Sequence, residues 1–434
     1  MRRVLMISPH FPPDSTAATH RVRLLAPHMA GHGWEPTVLT VDPRDYEGRL
    51  DPALLDSVPQ TVRIVRTRAW PPRASRAVGI GDLGIRAFQG LWRGASDLLS
   101  REPFDAVFIT IYPAYPALLG PLLKRRFTFA FVLDYQDPWV GEWGRSAGPG
   151  IDGRPDFKSR ASRFVAARME PYALRAADAV TAVSSATYEQ ALERTPEARP
   201  RACAELPIGW DRRDLEFLNQ GVSRAALFPD DDGLVHLSYV GTLLPTGLDT
   251  LRAVLAAVAA LRASSPAAAR LRLHFFGTSN QRTADAPARV LPVAAEYGLL
   301  DIVTESAPRL DYFDALRVLR DSTAVLLMGS SERHYTPSKV FPALVAQRPV
   351  VAVLHAASNA SDLLHRIGRA PTVRLVTYDD ETARARVDAI AAELSALMAN
   401  PRYVADAVDE RVLEPASACS LAGRLANVLD RCLR

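Results

Sequence analysis

Cysteine is nearly absent from this sequence. Cys203, Cys419 and Cys432 are the only three in 434 residues, odd in number and far apart. That spacing excludes a disulfide framework and a cysteine-built zinc site. Long apolar runs are missing as well. The longest candidates, Phe127–Leu133 and Val350–Leu354, are strand-sized against the roughly 18 residues that cross a bilayer. Met1-Arg2-Arg3 has the basic start of a secretory leader, but the apolar run behind it is only Val4–Ile7, shorter than the usual h-region of about 7–15 residues. A first β-strand and a cytoplasmic protein are expected instead. Lysine is the third scarcity: of 52 basic residues only Lys124, Lys158 and Lys339 are lysines. A GC-rich gene gives that arginine bias, so the net charge of +4 is weak evidence for a nucleic-acid partner, and none is expected. No Walker A or G-x-S-x-G motif occurs, and the loop after the first strand, Ser8–Thr19, has no glycine at all. A dinucleotide fingerprint is thereby excluded.

What is present is an ordinary globular composition, 48% hydrophobic and 23% charged, in a length that suits two domains. Residues 1–210 hold 27 basic and 22 acidic side chains, and residues 211–434 hold 25 and 26; a solvated surface is the plain reading of that asymmetry, an anionic ligand or surface the other. The hydrophobic pattern alternates strand and helix. In the first half, strands are expected at Val4–Ile7, Pro36–Val41, Val62–Val65, Ala106–Ile111, Phe127–Leu133 and Ala179–Val183. A break over Leu206–Phe228 is followed by a second series: Val235–Tyr239, Leu271–Phe276, Ile302–Thr304, Thr323–Met328, Val350–Leu354 and Val373–Val376. Strands separated by helices demand parallel sheets. The expected fold is therefore α/β, two doubly wound Rossmann-like domains facing a central cleft, with ligands beyond the carboxyl ends of the strands.

Five stretches carry polar groups to such strand ends. The first loop, Pro12–Arg21, leads into a helix N-terminus, where free N–H groups suit phosphate or hydroxyls; ordinary capping by Ser15, Thr16 or Thr19 explains it equally. Asp134-Tyr135-Gln136-Asp137 follows a strongly apolar strand, and such a cluster is costly without partners. Gly241-Thr242 and Gly277-Thr278 end two strands of the second half and allow close approach of a ligand. The richest stretch is Gly329–Pro342, where Thr336 can cap a helix, Pro337 suits its first position, and Lys339 stands in its first turn. In a chain that almost always uses arginine, that lysine suggests a compact charge on a phosphate. The nine histidines are scattered with no completed ligand set, so no metal is expected.

Ile7–Asp14 with His20-Arg21, Leu133–Trp139, Ala177–Ser185, Leu206–Asp211, Tyr239–Thr242, Leu273–Gly277 and Pro337–Phe341 with Arg348-Pro349-Val350, taken in order, resemble the retaining GT-B glycosyltransferases of the large family four. The resemblance implies a first domain over 1–210 that binds the acceptor, rejoined by a final helix at about 415–434, and a second over 211–414 that binds a nucleotide sugar. It implies transfer with retention of configuration, without a metal or other cofactor. Carried onto this sequence, Gln136, Asp137 and Lys339 would serve catalysis. Gly241, Thr242, Gly277, Arg282, Glu332, His334, Thr336, Pro337, Ser338 and Lys339 would hold the donor, and Asp14, Ser15, Thr16, His20, Arg21 and Tyr112 the acceptor. That acceptor is a small molecule, a glycan or a lipid-linked glycan. The basic, amphipathic stretch Lys158–Arg175 is read as a solvated helix, with peripheral contact to a membrane as the alternative. The family's Arg and Lys after the first strand of the second domain are replaced here by Thr242 and Pro245-Thr246-Gly247. Its ribose-binding glutamate falls on Pro342, and its cleft histidine on Gln136. Those departures keep open an unusual donor, a pseudo-glycosyltransferase and a GT-B sugar-nucleotide epimerase.

Overall fold

Thirteen parallel strands, among the described residues, build two sheets. The computed structural model describes residues 1–77, 79–140, 157–220, 226–229, 232–279, 281, 283–330, 340–379 and 382–433. The chain divides into one unit of Met1–Asp211 with Ala416–Arg434 and a second of Arg212–Pro415.

The first unit holds β1 (Arg2–Ile7), β2 (Trp34–Val41), β3 (Arg63–Thr67), β4 (Ala106–Ile111), β5 (Ala130–Tyr135), β6 (Ala179–Ala182) and β7 (Ala202–Glu205), ordered β3-β2-β1-β4-β5-β6-β7. β4 and β5 are buried throughout and β1 is apolar and buried from Val4 to Ile7, as strands covered on both faces must be. One face packs under the helix Leu83–Arg101 through Ala87, Leu91, Ala95 and Leu98. The other packs under the helices Thr19–Met29 and Ala418–Cys432. The last helix is tied in by Trp34, whose indole N–H donates to Asp430 at 3.0 Å, and by Arg201, which donates to the Cys432 carbonyl at 2.9 Å.

Two details differ from the sequence reading. β7 went unpredicted because Ala202–Glu205 is a short edge strand with little apolar signal. β5 begins three residues later than expected and runs on to Tyr135, so Asp134 lies inside the sheet rather than beyond it.

The second unit holds β8 (Val235–Val240), β9 (Leu271–Phe276), β10 (Val303–Ser306), β11 (Ala324–Met328), β12 (Val350–His355) and β13 (Val373–Tyr378), ordered β10-β9-β8-β11-β12-β13. Its core joins this sheet to the helices Leu248–Ser264 and Val387–Ala399. The stretch expected as a break contains a helix, Arg212–Gln220. Phe217 there meets Phe313 with ring centroids 4.6 Å apart, and Asp214 accepts from the Tyr312 hydroxyl at 2.8 Å. Polar composition hid an amphipathic helix. No described helix is long and apolar enough to cross a membrane.

Candidate functional site

In each sheet the winding direction reverses at one place, between β1 and β4 in the first unit and between β8 and β11 in the second. Ligand crevices of open α/β sheets form at the carboxyl ends of the strands at such a reversal. The first unit has a cavity of about 660 Å³ there, within the usual range for a small-molecule site.

Loops after four neighbouring strands build that cavity. His10, Asp14 and Thr16 come after β1, Tyr46 and Glu47 after β2, Tyr112 and Tyr115 after β4, and Asp137 and Trp139 after β5. Aromatic rings form its walls. His10 stacks on Tyr46 within 10° of parallel at 6.1 Å and lies 6.2 Å from Tyr112, while Tyr115 meets Trp139 edge-on at 6.0 Å. Tyr112 keeps 49% of its surface exposed, so a large apolar face is left for a ligand.

The electrostatics favour a ligand without negative charge. Asp14, Glu47, Asp82 and Asp137 line the cavity, against Arg86 and His10. Arg86 is consumed internally: it donates to the Trp70 carbonyl at 2.9 Å, the Glu47 carboxylate at 2.8 Å and the Asp45 carbonyl at 2.7 Å. Burial pushes the Asp14 carboxyl up, but hydrogen bonds and charge from His10, with those of Thr16 and Thr19, outweigh it and leave it lowered. Burial pushes Asp82 and Asp137 up. Five arginines of this unit, Arg63, Arg66, Arg68, Arg93 and Arg101, line a separate groove at the β3 edge.

The structure brings Asp14, Thr16, Tyr112 and Asp137 together at the cavity. Other residues expected with them serve the framework. Arg21 is 1% exposed, with its guanidinium 3.0 Å from Asp134 and a hydrogen bond of 2.5 Å to the Leu206 carbonyl. Asp134 is fully buried and also accepts from Thr110 and Thr181, each at 2.7 Å. Ser15 donates to the Arg49 carbonyl at 2.8 Å, and His20 Nδ1 accepts from Arg23 at 3.2 Å. Gln136 donates its amide N–H groups to Thr110 Oγ1 at 2.9 Å and the Ala18 carbonyl at 3.3 Å. Sequence reasoning missed His10, Tyr46 and Asp82 as cavity residues. The spacing of His10 and Asp14, four apart in one loop after a strand, was the available signal.

In the second unit the exits of β8 and β9 are pinned side by side. Gly241 N–H donates to the Phe276 carbonyl at 3.0 Å and Leu243 N–H to the Thr278 carbonyl at 2.9 Å. Gly277 turns there at φ +69, a left-handed conformation that favours glycine. Thr242 follows Gly241 with its carbonyl 3.3 Å from the Tyr239 hydroxyl. Beside them the helix Leu248–Ser264 presents its N-terminus, and the buried hydroxyl of Thr246 has no hydrogen-bond partner among the described residues. At β11 the chain leaves through Gly329 and Ser330, and Tyr378 donates to the Ser330 carbonyl at 2.9 Å. Arg282, Glu332, His334, Thr336, Pro337, Ser338 and Lys339 lie outside the described residues. Pro342 falls in a short helix, Val340–Val345, and is buried. Among the described residues no group of three or more His, Cys, Asp or Glu side chains is placed to hold a metal ion.

Residues 16–207 match the family model described as glycosyl transferase 4-like domain. No curated protein matches the chain. Among solved structures it is similar to sucrose-phosphate synthase from Thermosynechococcus elongatus, at 17% identity and a TM-score of 0.59, covering 98% of each chain. It is similar to Anabaena HepE in complex with UDP-glucose, at 14% identity and a TM-score of 0.58, covering 99% of this chain and 100% of that one. A UDP-forming α,α-trehalose-phosphate synthase from Burkholderia xenovorans gives 12% identity and a TM-score of 0.59 over 99% of each chain. At these identities the likeness carries the fold alone, two Rossmann-like units of the GT-B type. The chain is thus an enzyme of the glycosyltransferase class on the GT-B fold, with residues 16–207 similar to the glycosyl transferase 4-like domain.

Proposed function

We propose that the enzyme transfers a sugar from a nucleotide-diphosphate sugar to a hydroxyl of a neutral, ring-bearing acceptor, with retention of configuration and without a bound metal. The observation that carries this reading is the ring-walled cavity at the strand-order reversal of the glycosyl transferase 4-like unit. Aromatic faces suit the apolar face of a ring, and carboxyl groups suit its hydroxyls. With Arg86 engaged internally, the same cavity repels phosphate and carboxylate.

The donor is assigned to the second unit. Gly241 and Gly277 let it approach the strand ends. The N-terminus of the helix Leu248–Ser264 and the unpartnered Thr246 hydroxyl suit a diphosphate oxygen. Lys339 and the Thr336–Ser338 N–H groups, from their order in the sequence, would add the charge that steadies the leaving diphosphate. That the Anabaena neighbour was solved with UDP-glucose and with UDP makes uridine the first base to try. A thermal-shift panel of UDP, GDP, ADP and dTDP tests the reading. By linkage, a ligand at 100 times its Kd stabilises by about 2.7 kcal/mol. Stabilisation by at least one is expected; none by any would refute a nucleotide-sugar donor.

A further inference from the structure

We propose that the arginine-lined groove at the β3 edge docks an acidic, extended segment of another protein, which pairs with β3 as an added strand. The groove encloses about 490 Å³, and none of its lining residues lines the ring-walled cavity. This surface therefore stands apart from the transfer reaction. β3 ends the sheet and pairs only with β2 among the described residues. The outward N–H and C=O groups of such an edge are a template for another strand. A five-residue strand such as Arg63–Thr67 is roughly 17 Å long. The groove follows it from end to end and continues to Trp70. The helix Leu83–Arg101 makes the other wall. It closes on the strand because Gly90 has no side chain: a Cβ there would lie 2.0 Å from the Arg68 carbonyl oxygen.

Charge selects the occupant. Arg63 is paired with Glu102 at 2.7 Å and Arg68 with Asp45 at 2.8 Å. Arg66, Arg93 and Arg101 are exposed and make no ion pair among the described residues. Asp97 is the other acid of the lining, so positive charge is in excess. That charge is spread out rather than gathered on one point. Arg93 and Arg101 lie about 12 Å apart along the axis of their helix. A single phosphate reaches one of them at a time, whereas an extended chain with spaced carboxylates reaches both. A second copy of this chain is a poor occupant, because β3 laid on β3 sets arginine against arginine, and like charges across strands repel. Trp70, 49% exposed at the far end, offers its face to an apolar side chain of the incoming segment. A flat lipid surface fits less well, since these charges follow a recessed edge beside a helix wall.

The test measures binding of a fluorescent peptide of alternating glutamate and valine to the full-length protein. Peptides of alternating glutamate and proline, and of alternating lysine and valine, are measured beside it. Proline keeps the charge pattern but removes N–H groups that an added strand needs. The glutamate–valine peptide is expected to bind at low salt, to weaken as salt rises, and to slow hydrogen exchange at the β3 amides. The two other peptides should bind at least about tenfold more weakly. Arg66→Glu and Arg93→Glu should each weaken the glutamate–valine peptide at least about tenfold, because an attraction becomes a like-charge repulsion. Arg125→Glu, an exposed arginine outside the groove, should change it by less than about threefold. Protection of β3 is read on the wild-type protein, so the test stands even where a variant fails to fold. No binding of the glutamate–valine peptide, equal binding of the glutamate–proline peptide, or protection confined to other strands would overturn the proposal. So would attachment to phosphatidylserine vesicles through these arginines with no peptide bound.

Discussion

Replacing Arg21 with methionine removes the one full charge that faces Asp134 among the described residues of the first unit. Asp134 is wholly buried, and after the change only the neutral hydroxyls of Thr110 and Thr181, among the described residues, still donate to it. Breaking a buried ion pair from one side typically costs about 3–5 kcal/mol, because the remaining charge has no compensation. A domain of about 150–250 residues loses roughly 2–4 °C of Tm per kcal/mol, so the expected loss is about 6–20 °C. Asp134→Asn keeps both hydroxyl contacts but strands the guanidinium, and should cost a similar amount. The double variant Arg21→Met/Asp134→Asn should be less destabilised than the two singles together by at least about 1 kcal/mol, the coupling expected of residues in one network. The assay is direct because all six tryptophans, Trp34, Trp70, Trp92, Trp139, Trp143 and Trp210, precede Arg212, where the second unit begins. Tryptophan fluorescence during urea or thermal unfolding therefore follows the first unit alone. A loss under 2 °C for Arg21→Met, with strict additivity in the double variant, would refute the claim that this arginine is framework rather than acceptor-binding.

Further predictions concern titrating groups. Burial raises Asp137, and a carboxyl raised on folding costs stability once it is ionised; Asp137→Asn should therefore raise Tm at neutral pH while lowering turnover, and a variant both less stable and fully active would contradict a site role. In the second unit, burial, reinforced by His236 at 2.9 Å, pushes His274 down to about 4. Its other ring nitrogen bonds Thr304 at 2.8 Å, Phe228 stacks on it, and Asp232 and Arg272 complete the charges nearby. Between the ordinary histidine value of about 6.5 and 4 the unfolded chain binds the extra proton, so stability is lost as pH falls from about 6.5 to 4. Discounted for partial exposure, the loss is about 1–2 kcal/mol. Calorimetry should place it in a transition silent to tryptophan fluorescence, and His274→Gln should flatten it.

The parallel sheets were legible because their central strands are continuous apolar runs, and Asp14, Thr16, Tyr112 and Asp137 were legible as polar or aromatic residues just past them. Arg21 misled because a charged residue next to a polar loop gives no sign of facing inward; only the register of β5, which carries Asp134 into the sheet, reveals its partner. Asp134 itself was placed outside the strand because its charge outweighed its apolar neighbours. Tyr46 and Asp82 were invisible since they reach the cavity from loops distant in sequence. His10 was in plain view but looked like one scattered histidine, because its place in the cavity depends on its stacking against Tyr46.

Product analysis tests the central claim most directly. The wild-type enzyme is incubated with UDP-, GDP-, ADP- and dTDP-sugars and unphosphorylated acceptors, and the products are read by mass spectrometry and NMR. The account predicts a new glycosidic bond with the donor's anomeric configuration, formed in the presence of a chelator and suppressed when the acceptor carries a phosphate. Donor epimerised without transfer, or every donor recovered intact, would contradict it.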